Sequence, residues 1–359
     1  MSPMDTQTAM DARPIVEGIL ARAVAAQASD VHVEPVGDSY EIRFRTDGLL
    51  KTIETLPADI GRGIVLRLMV MAQLLTYKMD IPQEGRVRLE LPDYAPMDLR
   101  LAVIPVTGGM RAVVRLPAEL VQPRTLETLG LPQDILQSLY NFARADAGML
   151  LITGPAGSGK TTTIYALLEY IAQSSSGLSI ISIEDPVERI LPRVTQVEVS
   201  AHGSMTYERA LKSVMRQDPQ VLMLGEIRDA ATASIAVQAT LSGHRLICTL
   251  HAGHPGGAIA RLIEMGIEPY QITSSVFGVL NQRLLRRRDG EGYRGRVPVA
   301  EYGIVDPSVR EAILKRADGE TLKKIFGAPA GHVSIHAAAA ALVLAGVTDA
   351  AEVQRVLGS

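Results

Sequence analysis

The run Gly154-Pro155-Ala156-Gly157-Ser158-Gly159-Lys160-Thr161 constrains the fold more than any other part of this sequence. It matches G-x-x-x-x-G-K-[ST], a pattern with physical meaning only where a buried strand ends in a glycine-rich turn that opens a helix. Both flanks comply. Gly148-Met149-Leu150-Leu151-Ile152-Thr153 is a short apolar run of strand character, and Thr162 to Ala172 holds neither glycine nor proline and reads as a helix. In that setting the glycines let backbone N–H groups close around phosphate oxygens, and the helix N-terminus adds positive potential. The run, with Thr162, is therefore expected to bind the phosphates of a nucleoside triphosphate. Lys160 would neutralise the β- and γ-phosphates, and the Thr161 hydroxyl would ligate Mg²⁺.

A length of 359 residues suggests two or three domains, and 47% apolar with 21% charged residues is a globular composition. The formal net charge of −3 gives no global basic field, so nucleic acid is not expected as the main partner. The single cysteine, Cys248, lies in the apolar run Leu246–Leu250, which suits a reducing compartment and excludes an internal disulfide or a cysteine zinc site. Met1–Arg13 lacks the apolar centre of a signal peptide, and no apolar run approaches the ~18 residues that cross a bilayer. A cytoplasmic chain, peripheral at a membrane, is expected.

Residues 1–12 read as a disordered lead. Residues 13–116 read as an α+β domain, with a helix over Pro14–Gln27, strands at Val31–Glu34 and Tyr40–Arg45, and an Asp47-Gly48 hairpin turn. A Leu- and Met-rich helix follows over Asp59–Leu75, then strands at Arg86–Leu91, Met97–Ile104 and Arg111–Leu116. Pro117 and Pro123 mark a linker over 117–127. Residues 128–359 alternate strands with helices, the signature of an open α/β sheet, with strands at Met149–Thr153, Ile180–Glu184, Thr195–Val199, Val221–Leu224 and Leu246–Leu250. From about Pro269 to the end the pattern reads as an all-helical appendage.

Triphosphate hydrolysis also needs metal ligation, a group that positions water, and positive charge on the departing phosphate. Val221-Leu222-Met223-Leu224-Gly225-Glu226 is an apolar strand ending in a carboxylate, with Gly225 where a metal-binding aspartate usually stands. Glu226 is the expected water-polarising residue. Ile183-Glu184-Asp185-Pro186-Val187-Glu188 places carboxylates at the end of the preceding strand, where open α/β sheets hold ligands, and Glu184 or Asp185 is expected to support the metal indirectly, through its bound water or nucleotide, where Gly225 cannot. His244 and His251 bracket the next strand; with no cysteine or third ligand nearby, they do not suggest a metal site.

Glu184-Asp185-Pro186-Val187-Glu188, Arg216-Gln217-Asp218-Pro219-Gln220-Val221, Gly225-Glu226-Ile227-Arg228-Asp229 and Thr249-Leu250-His251 resemble motifs of the type II/IV secretion and type IV pilus ATPases. The first domain resembles the same family in Ala28-Ser29-Asp30-Val31-His32-Val33-Glu34-Pro35 and Arg43-Phe44-Arg45-Thr46-Asp47-Gly48, so the likeness covers most of the chain. It implies a PAS-like first domain, a RecA-like ATPase domain, ATP with Mg²⁺, a homo-oligomer, most simply a hexamer, and an inner-membrane platform protein as partner. It also implies that Arg100 and Arg115 reach the γ-phosphate from the first domain. Arg216 and Arg228 match arginines at nucleotide and subunit interfaces, and His244 and His251 join the catalytic set. Runs Arg261–Pro269, Leu280–Arg286 and Gly292–Arg296 look like the assembly and type II secretion branch.

Departures are equally informative. Family members usually carry a four-cysteine zinc module before the Gly-Tyr-Arg-Gly-Arg turn, and here Arg286–Glu291 stands in its place without cysteine. The docking domain that usually comes first is not expected here, Lys212 replaces an arginine, and Ala252-Gly253 replaces a polar pair. Leu75–Asp80 has lost the usual charged pattern. The expected function is an ATP-hydrolysing motor for assembly of a type IV pilus or a type II secretion pseudopilus. A slow ATP-binding regulatory paralogue and a conjugation-type DNA translocase, the latter suggested by Arg283, Arg286, Arg287 and Arg288, are the alternatives.

Overall fold

The computed structural model describes residues 12–92, 94–117, 125–175, 177–199 and 205–358. Most of the expected lead (1–12) and most of the expected linker (117–127) lie outside them. The chain divides into two compact units, Met1–Gln122 and Pro123–Ser359.

In the first unit, α1 (Ala12–Ala25) precedes β1 (Asp30–Val36), β2 (Ser39–Thr46), β3 (Leu49–Pro57), α2 (Ala58–Met71), β4 (Gln83–Leu89), β5 (Met97–Val106) and β6 (Gly109–Arg115). The strands form a six-stranded antiparallel sheet in the order β3-β2-β1-β6-β5-β4. Alternation makes one face of it apolar. Along β5, Leu99, Leu101 and Val103 are buried while the residues between them are exposed, and the two helices cover that face with Ile19, Leu20, Ile64 and Leu68. Asp47 and Gly48 both take positive φ (50° and 83°), as a two-residue hairpin turn with matching twist requires.

In the second unit, α3 (Gln133–Arg144), β7 (Gly148–Thr153), α4 (Lys160–Ser174), β8 (Ile180–Glu184), β9 (Thr195–Glu198), α5 (Tyr207–Val214), β10 (Val221–Leu224), α6 (Ala230–Leu241), β11 (Arg245–Leu250), α7 (Pro255–Glu264) and α8 (Pro269–Ser275) come first. They are followed by β12 (Val276–Asp289), β13 (Gly292–Ile304), α9 (Pro307–Leu314), α10 (Gly319–Phe326), α11 (Ile335–Leu344) and α12 (Ala350–Leu357). Among the described residues the sheet has seven strands in the order β13-β12-β7-β11-β10-β8-β9. Strands β7, β8, β10 and β11 are buried at every position, because helices cover both faces of a parallel sheet.

The expected α/β sheet is there, but the all-helical appendage is not. Two long strands, β12 and β13, stand where helices were expected. They pair antiparallel with each other, and β12 runs parallel to β7. The apolar spacing at Val276, Val279, Leu280 and Leu285 suits either period, and pairing with the open edge of β7 decides for strand. Only α9–α12, after β13, form a helical tail.

Candidate active site

The phosphate loop leaves fully buried β7 and enters α4, whose first residue is Lys160 and whose N-cap is Gly159 in a left-handed conformation (φ 87°). Gly157 also has positive φ (75°), and nothing lies within 4 Å of where its Cβ would be, so the backbone there is open to an incoming group. Lys160 Nζ donates to Gly154 O and Pro155 O, both at 2.9 Å, and spans the loop it belongs to. Burial lowers its pKa, opposed by Glu226 and reinforced by Arg283. The Ser158 hydroxyl oxygen is buried without a hydrogen-bond partner among the described residues. An open glycine backbone, a helix N-terminus and a lysine bound only to neutral carbonyls suit polyphosphate.

Glu226, Arg228 and His251 come together at the carboxyl ends of β10 and β11. Arg228 Nε donates to Glu226 Oε1, its Nη1 lies 3.6 Å from Asp185 Oδ2, and His251 Nε2 lies 3.5 Å from Glu226 Oε2. Arg228 also stands 5.7 Å from the centre of the Tyr207 ring. Although burial works against its charge, the bond and attraction to Glu226 raise its pKa. The absent metal-binding aspartate has a steric explanation. A Cβ on Gly225 would meet Tyr207 Oη at 2.6 Å and Ile183 O at 3.3 Å, leaving no room for a larger group. Tyr207, half-buried at the start of α5, was not singled out in the sequence.

Glu184, expected to support the metal at one remove, is held by protein donors. Its carboxylate is buried and accepts from Tyr165 Oη, from Ser182 Oγ and from Gln196 Nε2 at 3.0 Å. The Tyr165 hydroxyl accepts in turn from the Glu188 backbone N–H at 3.2 Å. Glu184 thus fixes the turn, and Glu188 is the carboxylate beside the loop, with Oε1 3.4 Å from Thr161 Oγ1. Hard oxygen donors of this kind suit Mg²⁺, which keeps several waters and leans on substrate phosphates. No group of three or more His, Cys, Asp or Glu that could hold a metal ion is found among the described residues.

Strand β12 supplies the residues that sequence reasoning missed. Gln282, 2% exposed, donates from Nε2 to Ser158 O (2.8 Å) and accepts from Thr163 Oγ1 (2.9 Å), so it fastens the loop to the start of α4. Asn281 accepts from Thr153 Oγ1 (3.3 Å) and donates to Gly253 O (2.8 Å), tying β7 to the segment after His251. The signal existed in the polar pair Asn281-Gln282 within an apolar run, but a helical reading of that run pointed it nowhere.

Other expected residues are placed elsewhere. His244 precedes β11 and its Nδ1 donates to Ala239 O (2.8 Å), at the opposite end of a six-residue strand from His251, about 20 Å away. Arg216 is exposed before β10 and donates to Lys212 O (3.1 Å). In the first unit, Arg100 stands on the exposed face of β5, in register with Arg115 on β6, which is in register with Asp30 on β1. Arg115 Nε donates to Asp30 Oδ1 at 3.0 Å, and Arg45 Nε lies 3.4 Å from Asp30 Oδ2.

A family model described as Type II/IV secretion system protein matches residues 6–355. The type II secretion system protein HxcR of Pseudomonas aeruginosa is 36% identical over 373 residues, covering 98% of this chain and 79% of that protein. The type II secretion system ATPase E of Vibrio cholerae is 35% identical over 379 residues, covering 95% and 74%. The type IV pilus assembly ATPase PilB of Thermus thermophilus is 33% identical over 353 residues, 88% of this chain but 39% of that longer protein. In fold, the chain is similar to the Legionella pneumophila ATPase DotB (TM-score 0.77, 21% identity, 95% of each chain covered). It is also similar to the pilus retraction motor PilT solved with ADP (TM-score 0.67, 24% identity, 94% and 96% covered). With a match across nearly its whole length and a phosphate loop at the carboxyl edge of a RecA-like sheet, this chain belongs to the type II/IV secretion system protein family and is one of its ATPases.

Proposed function

We propose that this ATPase drives assembly of a type II secretion pseudopilus or a type IV pilus, working as a homo-oligomeric ring, most simply a hexamer, against a platform protein at the inner membrane. The observation that carries the reading is the convergence of Glu226, Arg228 and His251 near Lys160 of the phosphate loop. The coverage of the Pseudomonas and Vibrio secretion proteins favours the secretion branch.

Lys160 and the loop N–H groups hold the phosphates of ATP. Glu226 orients a water and accepts its proton as the new P–O bond forms and the bond to ADP breaks. Arg228 and His251 fix the Glu226 carboxylate. Mg²⁺ bound at Thr161 beside Glu188 would neutralise charge on the β- and γ-oxygens. Arg100 and Arg115 are cross-strand neighbours on one face of the first unit, which supports their acting together on one anion, the γ-phosphate. Closure of the first unit over ATP would then couple nucleotide state to movement.

The DNA-translocase reading draws less support from the basic cluster. Arg286 is bonded to Glu352, and Arg283 is held by Asn281 Oδ1 and backbone carbonyls, so the basic cluster is not one free patch. ATPase rate against protein concentration tests the proposal. Specific activity should rise with concentration as rings form, and Arg100→Ala or Arg115→Ala should lower it without changing ADP affinity. Activity independent of concentration would refute the ring.

A further inference from the structure

Among the described residues, one cation beside the phosphate loop has no counter-charge. Arg283, on β12, is half-buried, and its guanidinium donates to Asn281 Oδ1 (2.9 Å), Gln282 O (3.0 Å) and Gly253 O (3.4 Å). All three acceptors are neutral. Burial pushes its pKa down, and no neighbouring carboxylate opposes that shift. Its Nη1 stands 3.2 Å from where a Cβ on Gly154, the first loop residue, would be, and its charge is felt at Lys160.

Arg286, three positions along the same strand, is paired with buried Glu352, and Arg228 is paired with Glu226. Taking a guanidinium partly out of water without an opposite charge is unfavourable, and such a group is tolerated where a ligand brings the charge. The neutral acceptors fix the fork. A guanidinium has five N–H donors; the three acceptors engage two on Nη1 and one on Nη2, leaving Nε–H and one Nη2–H, a pair suited to two oxygens of one phosphate.

We propose that Arg283 is a second phosphate-binding cation of the nucleotide site, supplied by β12 of the same chain and acting with Lys160 on the triphosphate. The inference rests on the phosphate loop being the nucleotide site.

The test uses the intact chain and two probes, ATP and tripolyphosphate, each competed against a fluorescent nucleotide at several salt concentrations. Arg283→Gln should weaken both probes about ten- to a hundredfold, the usual loss for a charge-assisted bond, and should flatten the salt dependence of affinity. Its melting temperature without nucleotide should match or exceed that of the unsubstituted chain, and Arg283→Lys should recover part of the affinity. Unchanged tripolyphosphate affinity in Arg283→Gln would overturn the proposal. So would weaker binding with an unaltered salt dependence, because Arg283 would then only brace the loop. If the unsubstituted chain binds neither probe, the nucleotide-site reading itself fails and takes this inference with it.

Discussion

The steric explanation for Gly225 makes a quantitative prediction. Its φ is not positive, so the backbone accepts a side chain and any penalty comes from the neighbours. A Cβ would stand 2.6 Å from Tyr207 Oη, 3.4 Å from Tyr207 Cζ and 3.3 Å from Ile183 O. The first contact is far inside van der Waals range, the second is ordinary, and the third is slightly tight. Tyr207 cannot swing away freely, because its ring packs against the core and carries Arg228 on its face. Overpacking of this kind typically costs about 1–3 kcal/mol, which is the expected destabilisation for Gly225→Ala. Tyr207→Phe removes the offending oxygen and keeps the ring. The double variant should therefore be more stable than the sum of the singles by about 1 kcal/mol or more, a coupling expected only of residues in contact. Thermal melting of the intact chain without nucleotide reads this out at about 2–4 °C per kcal/mol for a unit of this size. Additivity within about 0.5 kcal/mol, or a neutral Gly225→Ala, would show that Tyr207 does not exclude a side chain at this position.

Lys160→Ala should abolish ATP binding in a fluorescence titration; retained affinity would contradict the loop assignment. Glu226→Gln should keep nucleotide affinity and lose turnover by about 10²-fold or more, as when a water-positioning carboxylate is removed, and near-normal turnover would move that role to Glu188. Gln282→Leu leaves Ser158 O and Thr163 Oγ1 without partners, so a loss of about 1–3 kcal/mol in stability is expected, with weaker nucleotide binding; an unaltered melting curve would count against the strut. Glu352 is buried, which alone would raise its pKa, but bonds from Arg355 and Arg286 hold it down, from the ordinary 4.5 to about 2. A depressed carboxylate pKa stabilises the fold above the unfolded value, so the contribution, at most about 3 kcal/mol, is complete at neutral pH and lost as pH falls from 4.5 toward 2. Acid titration of Glu352→Gln should lack that component of the pH dependence, and an identical acid transition in both chains would refute the coupling.

The nucleotide half of the site was legible because its chemistry is local. A glycine run, a lysine and the flanking periodicities specify the loop without reference to any other strand. Glu226, Arg228 and His251 could be found because strands β10 and β11 end beside one another in any parallel sheet of this kind. What the sequence hid depends on long-range pairing. Gln282 lies 119 positions after Thr163, its bonding partner, and nothing local distinguishes a strand from a helix over Val276–Leu285. The roles of Glu184 and Glu188 could not be separated either. Both occupy one acidic turn, and only the Tyr165 hydroxyl, one helix away, shows which carboxylate is consumed internally and which faces Thr161.

Strand β12 also links the loop to the far end of the chain. Gln282, Asn281 and Arg283 sit at one point along it, and Arg286 follows about 13 Å further on at the usual strand rise. There the hairpin with β13 is clasped to α12. Glu352 accepts from the Arg286 backbone N–H (3.0 Å) and side chain (2.7 and 2.9 Å) and from Arg355 (2.6 and 2.7 Å). Arg286 stacks at 3.8 Å on Tyr293, whose hydroxyl donates to Asp349 at 2.7 Å. The sequence resemblance puts a four-cysteine zinc module at this position in related ATPases. A zinc staple couples the fold to metal and thiol state, whereas this one couples it to protonation of a single buried carboxylate. Removing one partner of such a buried pair typically costs about 3–5 kcal/mol, far more than an exposed pair would. Helix α12 therefore supports the phosphate loop through the strand that holds it.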